Sequence, residues 1–444
     1  MARRSVVLGG VIAVAVAAIA TTAVVIGQRS APAADGATVV TVNLWDESVA
    51  TAYETSFVAF EAENPDIDVQ VQVTPWASYF DDLLVDVGGK TASDIFWLNS
   101  AFTTYADNGS LVDVTKALGP DAAKAWEPSV VQQYTRNGAL WGVPQLADGG
   151  KAVIYNKKLV AAAGLTDADL RELVWDPDGA EDTLLPVLRK LTLDAAGRSA
   201  DEPGFDPAKI KQFGYNAAYD GDGILFNYVG SNGGDWRNES GYTFAEAESA
   251  AAIGYVVDLI NRHHVAPSAA DTNENSDFSK EQFLQGRLAL FQTGLFNMAE
   301  ITETADFEWG VVPIPSGPAG PRSVTNGIIA AGNAASPHPE QTQRVLTWLA
   351  SGPGSTPIGA GGAAVPAVLD ARPAYDDFWK AKDVDVAPFF EGETFTLPVL
   401  TSTKISESNA ELEPIIKEVF LGRLEVDEGL RQAQTAANKV LGNS

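Results

Sequence analysis

The stretch "VVTVNLWDESVATAYETSFVAFEAENPDIDVQVQVTPW", residues 39–76, decides the fold. Val40, Val42 and Leu44 alternate with polar residues, the period of two that marks a strand. In "ATAYETSFVAFEAENPD", Tyr53, Phe57 and Phe60 fall on one helical face, and Asn64-Pro65 ends the helix because the residue before a proline avoids the helical region. Ile67, Val69, Val71 and Val73 then alternate as a second strand. Both strands run out onto a tryptophan, Trp45 and Trp76, and the first is followed directly by the carboxylates Asp46 and Glu47.

The same rhythm continues outward. "SYFDDLLVDVGG" reads as a short helix, "DIFWL" as a strand ending at Asn99 and Ser100, and "FTTYADNGSLVDVT" as a helix closed by Asn108-Gly109. Strands alternating with helices predict a mostly parallel α/β sheet. Ligands of such sheets bind beyond the carboxyl ends of the strands, where three successive strands here place Trp45, Trp76 and Asn99.

Composition narrows the function. The chain has 444 residues, with 58 acids against 30 Lys and Arg and a formal net charge of −28. That length suits two or three domains. The acidic balance argues against nucleic acid, whose phosphates need a basic surface, and suits neutral or cationic ligands. With no cysteine there is neither disulfide nor thiolate chemistry, nor the lipid-anchored cysteine of a bacterial lipoprotein. Residues 1–34 read as a targeting segment: Arg3 and Arg4 precede an apolar run from Val6 to Ile26, followed by Ala31 and Ala33 in an A-x-A pattern. The run is long for a signal core and long enough to span a bilayer, so both a cleaved signal peptide and a retained anchor are expected forms. The folded part lies outside the cytoplasmic membrane in either case, held at its outer face or secreted.

Five later fragments, in order, carry a resemblance. "YNKKLVAAAGL" (155–165), "FLQGRLALFQTGLF" (283–296), "WGVVPIPSGPAG" (309–320), "GIIAAGNAASPHPEQTQRVLTWL" (327–349) and "GRLEVDEGLRQAQTAANKVL" (422–441) resemble the extracellular solute-binding proteins of sugar ABC importers, the family that includes maltose-binding protein. The resemblance implies a two-lobed, type II periplasmic-binding-protein-like α/β fold. Each lobe is a mostly parallel sheet flanked by helices, with the ligand cleft between the lobes. Lobe one is expected at 38–154 with 327–378, and lobe two at 155–326 with 379–444. It further implies a monomer, without a cofactor, that captures a carbohydrate by hinge closure and delivers it to the membrane subunits of an importer. Phe296 stands where the family often has tryptophan, which keeps an aromatic face but loosens the expectation of which sugar is bound.

A sugar needs aromatic faces for its C–H surfaces and a donor or acceptor for each hydroxyl. Trp45, Asp46, Trp76, Asn99, Asp148, Tyr155, Asn232, Trp236, Phe296 and Asn326 are the candidate ligand residues, placed by the α/β pattern or by the resemblance on loops facing the cleft. "SNGGDW" adds weight to Trp236, because glycines let backbone approach a ligand. Trp97, Trp309 and Trp348, inside elements, are expected in the cores.

Other readings stay open. A polyamine or a polyol is an alternative ligand, although a phosphorylated polyol would demand clustered Arg or Lys. A secreted carbohydrate-active enzyme using Asp46 or Glu47 with Asp148 as acid and base is a rival class. Among decoys, "VGGKTAS" has Leu84 where a phosphate loop needs its first glycine. "DTNENSDFSKEQ" spaces Asp271, Asn273, Asn275 and Asp277 like calcium ligands, but has Ser276 for the sixth-position glycine and Gln282 for the twelfth-position glutamate. His263-His264 lacks a third ligand at metal spacing.

Overall fold

The computed structural model describes residues 36–442 apart from 399, 401 and 403. The expected targeting segment, 1–34, lies outside the described residues. Strand β1 (Thr38–Leu44) buries Val40, Val42 and Leu44 completely. Helix α1 (Glu47–Glu63) starts at Asp46, whose side chain accepts from the Val49 N–H, and stops at Asn64. Its Tyr53, Phe57 and Phe60 face the core. Strand β2 (Ile67–Val73) lies parallel to β1, Val40 opposite Val69, and helix α2 (Trp76–Gly89) leads to β3 (Ile95–Leu98), which is buried along its whole length.

These strands belong to a five-stranded sheet completed by two later ones. The order is β2, β1, β3, Gly327–Gly332, Val143–Ala147. Gly327–Gly332 is antiparallel to both its neighbours, so Val143–Ala147 runs parallel to β1, β2 and β3. Trp45, Trp76 and Asn99 therefore leave the sheet at the same edge as Asp148. Asn326 enters the sheet at that edge.

A second sheet has three strands, Leu290–Thr293, Ala152–Asn156 and Trp309–Pro313, in that order, and both its pairings are antiparallel. This departs from the mostly parallel sheet expected in each lobe. The physical reason is connectivity: both neighbours of the central strand come from one later stretch, 290–313, joined over the helix Met298–Thr304. They share a direction, and that direction opposes Ala152–Asn156.

The buried apolar side chains form two clusters. One holds the five-stranded sheet with α1, and also Phe283, Phe291, Leu295, Met298 and Ile301. The other gathers Trp175, Tyr215, Tyr228, Trp236 and Phe244 with the closing helices Ile405–Phe420 and Val426–Leu441, which pack on each other and on Ala247–Asn261. Ala152 and Ile154 face the first cluster and Val153 and Tyr155 the second, so the three-stranded sheet is the wall between them.

Candidate functional site

At the carboxyl edge of the larger sheet, Trp45 is half-buried in a ring of aromatics. It makes edge contacts to Trp76 at 5.2 Å, Tyr79 at 4.9 Å and Trp97 at 5.0 Å between centroids, and a tilted one to Phe80 at 5.7 Å. Tyr79 fixes the base of this group: its hydroxyl meets the carbonyls of Asn43 and Trp97 and accepts from the Trp97 N–H. Trp76, at the first turn of α2, stays 53% exposed. An indole held upright by its neighbours and open on one side is a stacking surface.

Asp46 and Asn99 are turned toward their own backbone. Asp46 caps α1 through Val49 at 2.9 Å, and its burial raises the carboxyl above the ordinary range. Asn99 Oδ1 accepts from the Ala101 N–H at 3.0 Å.

Three strand positions along the same edge lies a charged group. The chain leaves the larger sheet at Ala147 and enters the smaller at Ala152 through Asp148-Gly149-Gly150-Lys151. Lys151 is completely enclosed. Its Nζ lies 2.6 Å from Asp148 Oδ2 and 3.0 Å from Asp222 Oδ2, donates to the Val324 carbonyl at 3.3 Å, and sits 5.8 Å from the centroid of Phe296. The return crossing is tied to the same group. Asn326 Nδ2 donates to Asp222 Oδ1 at 2.8 Å, Thr325 Oγ1 donates to the Asp148 carbonyl, and the Lys151 N–H donates to Ser323 Oγ. Burial pushes the Asp148 carboxyl up to about 6; Lys151 pulls it down and Asp222 adds to the rise. Burial works against the Lys151 charge, yet the two carboxylates hold its pKa above the ordinary value.

The structure thus brings Asp148, Phe296 and Asn326 together and sets Trp45 and Trp76 on the same sheet edge. Three other candidates are placed away from this group. Trp236 is 6% exposed and packs on Phe226 and Phe244 in the second cluster, because those rings close over it. Asn232 ends the helix Phe226–Ser231 and donates to the Glu248 carbonyl at 2.7 Å. Tyr155 is buried on the face of its strand opposite Ile154, and its hydroxyl donates to Asp167 at 2.8 Å. It borders a groove of about 490 Å³ with Arg171, Trp309 and Asp385, and that groove contains none of the crossing group. An open surface groove, of about 690 Å³, runs along Val426–Leu441 beside Glu411.

Lys151 and Asp222 were missed by the sequence reading. Lys151 carried one signal, a lone cation three residues after Asp148 at the head of the apolar run "AVIY". Asp222 carried none. Among the described residues no group of three or more His, Asp or Glu is gathered to hold a metal ion.

A sequence profile described as bacterial extracellular solute-binding protein matches residues 43–354. Among solved structures, UspC of M. tuberculosis is 48% identical, covering 91% of this chain and all of that one, at a TM-score of 0.73. The ABC substrate-binding protein Lmo0181 of Listeria monocytogenes, in complex with cycloalternan, is 20% identical over 92% of this chain and all of its own, at 0.73. The MalE domain of Bdellovibrio bacteriovorus bound to maltotriose is 16% identical over 91% of this chain and all of its own, at 0.74. The fold is that of a two-lobed substrate-binding protein. The chain belongs to the bacterial extracellular solute-binding protein family.

Proposed function

We propose that this protein captures a neutral sugar or short oligosaccharide outside the cytoplasmic membrane and delivers it to the membrane subunits of an ABC importer. The observation that carries this reading is the layout of one sheet edge, with an aromatic surface at Trp45 and Trp76 and a polar group at Asp148, Asp222 and Asn326. Three strand spacings separate β1 from Val143–Ala147, about 14 Å at the usual inter-strand distance. A span of that size suits a ligand of more than one ring, stacked at one end and hydrogen-bonded at the other. Structural neighbours whose bound molecules are maltotriose and cycloalternan point the same way.

The charge pattern favours a neutral ligand. The one cation in the crossing group, Lys151, already has two carboxylates and a carbonyl, which leaves nothing to neutralise a phosphate. Binding without turnover is also inferred: Asp46 caps its helix, and one oxygen of Asp148 is held by Lys151. The lobes are taken as 38–154 with 327–378, and 155–326 with 379–444. They hinge where the chain crosses near 148–155, 324–327 and 378–379, and the solute selects the closed state by touching both lobes.

A thermal-shift screen of mono- to tetrasaccharides tests the reading. A ligand at a hundred times its dissociation constant adds about 2.7 kcal/mol of stability. A full panel at millimolar concentration that leaves the midpoint unmoved would sink it. Export is tested separately by fractionation with N-terminal sequencing, where a full-length cytoplasmic pool is the contrary result.

A further inference from the structure

We infer that Lys151 is the positioning residue of the solute site, holding Asp148 and Asp222 in the one arrangement that leaves the second oxygen of Asp148 facing the solute. The inference rests on the sugar-capture reading.

An ammonium has three protons and no acceptor capacity. At Lys151 three acceptors are in place, Asp148 Oδ2, Asp222 Oδ2 and the Val324 carbonyl, and the side chain has no exposed surface. Such an ammonium has no proton left to offer a ligand, so it acts through its partners. The partners come from three places in the chain: the outgoing crossing, the turn around Gly221–Leu225, and the return crossing.

The two carboxylates differ in what remains to them. Asp222 uses Oδ2 on Lys151 and Oδ1 on the Asn326 amide. Asp148 uses only Oδ2. Its Oδ1 has no hydrogen-bond partner among the described residues, and its side chain keeps 16% of its surface exposed. Asp148 Oδ1 is therefore the free acceptor of the group, aimed by a buried cation on its other side. Charge-assisted acceptors of this kind make stronger hydrogen bonds than neutral ones. The sugar hydroxyl that donates to it meets a carboxylate whose orientation is already fixed.

Two titratable groups set the ionisation of this carboxylate, and two more lie close by. Lys151 favours the charged form, whereas Asp222 disfavours it. Asp220 lies close enough to feel Lys151, and the buried Tyr375 feels Asp148. Removing the ammonium leaves burial and Asp222 acting in the same direction, so Asp148 takes up its proton at higher pH.

The first test is made on the free protein and does not depend on which sugar is bound. Carboxyl-carbon NMR of the full, ligand-free chain follows Asp148, whose signal is identified by its loss in Asp148→Asn. The wild type is expected to titrate above the ordinary carboxylate range, Lys151→Met at least about one pH unit higher than wild type, and Lys151→Arg close to wild type. Asp222→Asn, which keeps the cation, moves the midpoint down and serves if Lys151→Met does not fold. An unmoved midpoint in these variants overturns the positioning role. Calorimetry with maltotriose as probe adds the second readout: binding at pH 8 weakens about tenfold or more in Lys151→Met and recovers in Lys151→Arg. Equal affinity in Lys151→Met and wild type overturns the solute-facing part. A wild type that binds no sugar of the panel overturns the sugar reading itself, while the titration still decides what Lys151 does to Asp148.

Discussion

Trp45 and Trp76 stand next to each other in different surroundings. Trp45 is wedged among four rings, so Trp45→Ala opens a cavity and is expected to cost about 2–4 kcal/mol of stability, short of the value for a wholly buried tryptophan. Trp76 has half its surface in solvent and touches Trp45 and Phe80 edge-on. Trp76→Ala is expected to change stability by about 1 kcal/mol and to weaken sugar binding by about ten- to a hundredfold, the loss of one stacked face with its apolar contact. Urea unfolding and calorimetry of the two variants separate these roles; a Trp76→Ala protein with intact affinity takes the tryptophan out of the site. At this scale the sequence was readable where a side chain's place follows from strand alternation, as for Trp45, Trp76 and Asp148. It was silent where distant residues decide: Trp236 is covered by Phe226 and Phe244, and Asn232 donates to the Glu248 carbonyl. Lys151 gained its meaning only from acceptors at 148, 222 and 324, which no spacing in the chain announces.

The crossings and turns carry the next level. At Gly150 an added Cβ meets Ser323 Cβ at 2.9 Å and the Phe389 carbonyl at 3.1 Å, and the Gly150 N–H donates to that same carbonyl. Gly150→Ala therefore pushes the outgoing crossing off the return crossing, at an expected cost of about 1–3 kcal/mol. The matching check is urea unfolding, and an unchanged midpoint means that the crossings have slack. A second element is pinned by Asp194, whose carboxylate accepts from the N–H groups of Ala196, Arg198 and Asp206 and from the Arg198 guanidinium. Burial alone would raise this carboxyl, but those donors hold it down to about 2. A lowered carboxyl stabilises the fold above its ordinary range and loses that contribution as pH falls through about 2. Asp194→Asn is expected to be less stable at pH 7 and to flatten the acid limb between pH 4 and 2; an unaltered limb assigns the acid sensitivity elsewhere. The local β1–α1–β2 unit was legible because its periodicity, cap and stop signal lie within forty residues of one another. The antiparallel second sheet was not, because its central strand pairs with partners more than a hundred residues later.

For the whole molecule the question is what a bound solute does to the two bodies. The apolar cluster around the five-stranded sheet also takes in Phe283, Phe291, Leu295, Met298 and Ile301 of the second body, and the three-stranded sheet separates that cluster from the other. The crossings proposed near 148–155, 324–327 and 378–379 are short, so a change of angle between the bodies would need rotation at few backbone positions while the sheets and helices stay intact. A solute stacked on Trp76 and hydrogen-bonded at Asp148 stabilises closure only by the contacts it gains in the closed form. Driving a population from 1:99 to 99:1 takes about 5.5 kcal/mol of such differential binding, within the roughly 8 kcal/mol that a micromolar ligand supplies. Small-angle scattering with the sugar chosen by the thermal screen is therefore expected to show a smaller radius of gyration, and the far-ultraviolet spectrum is expected to stay unchanged. Asp148→Asn keeps the shape of the side chain but removes the charged acceptor at the crossing. It should need more sugar to reach the same compaction, without altering the radius of the free protein. Equal radii with and without saturating sugar would remove hinge closure as the mechanism. A changed spectrum would mean that the solute refolds an element instead of moving a body.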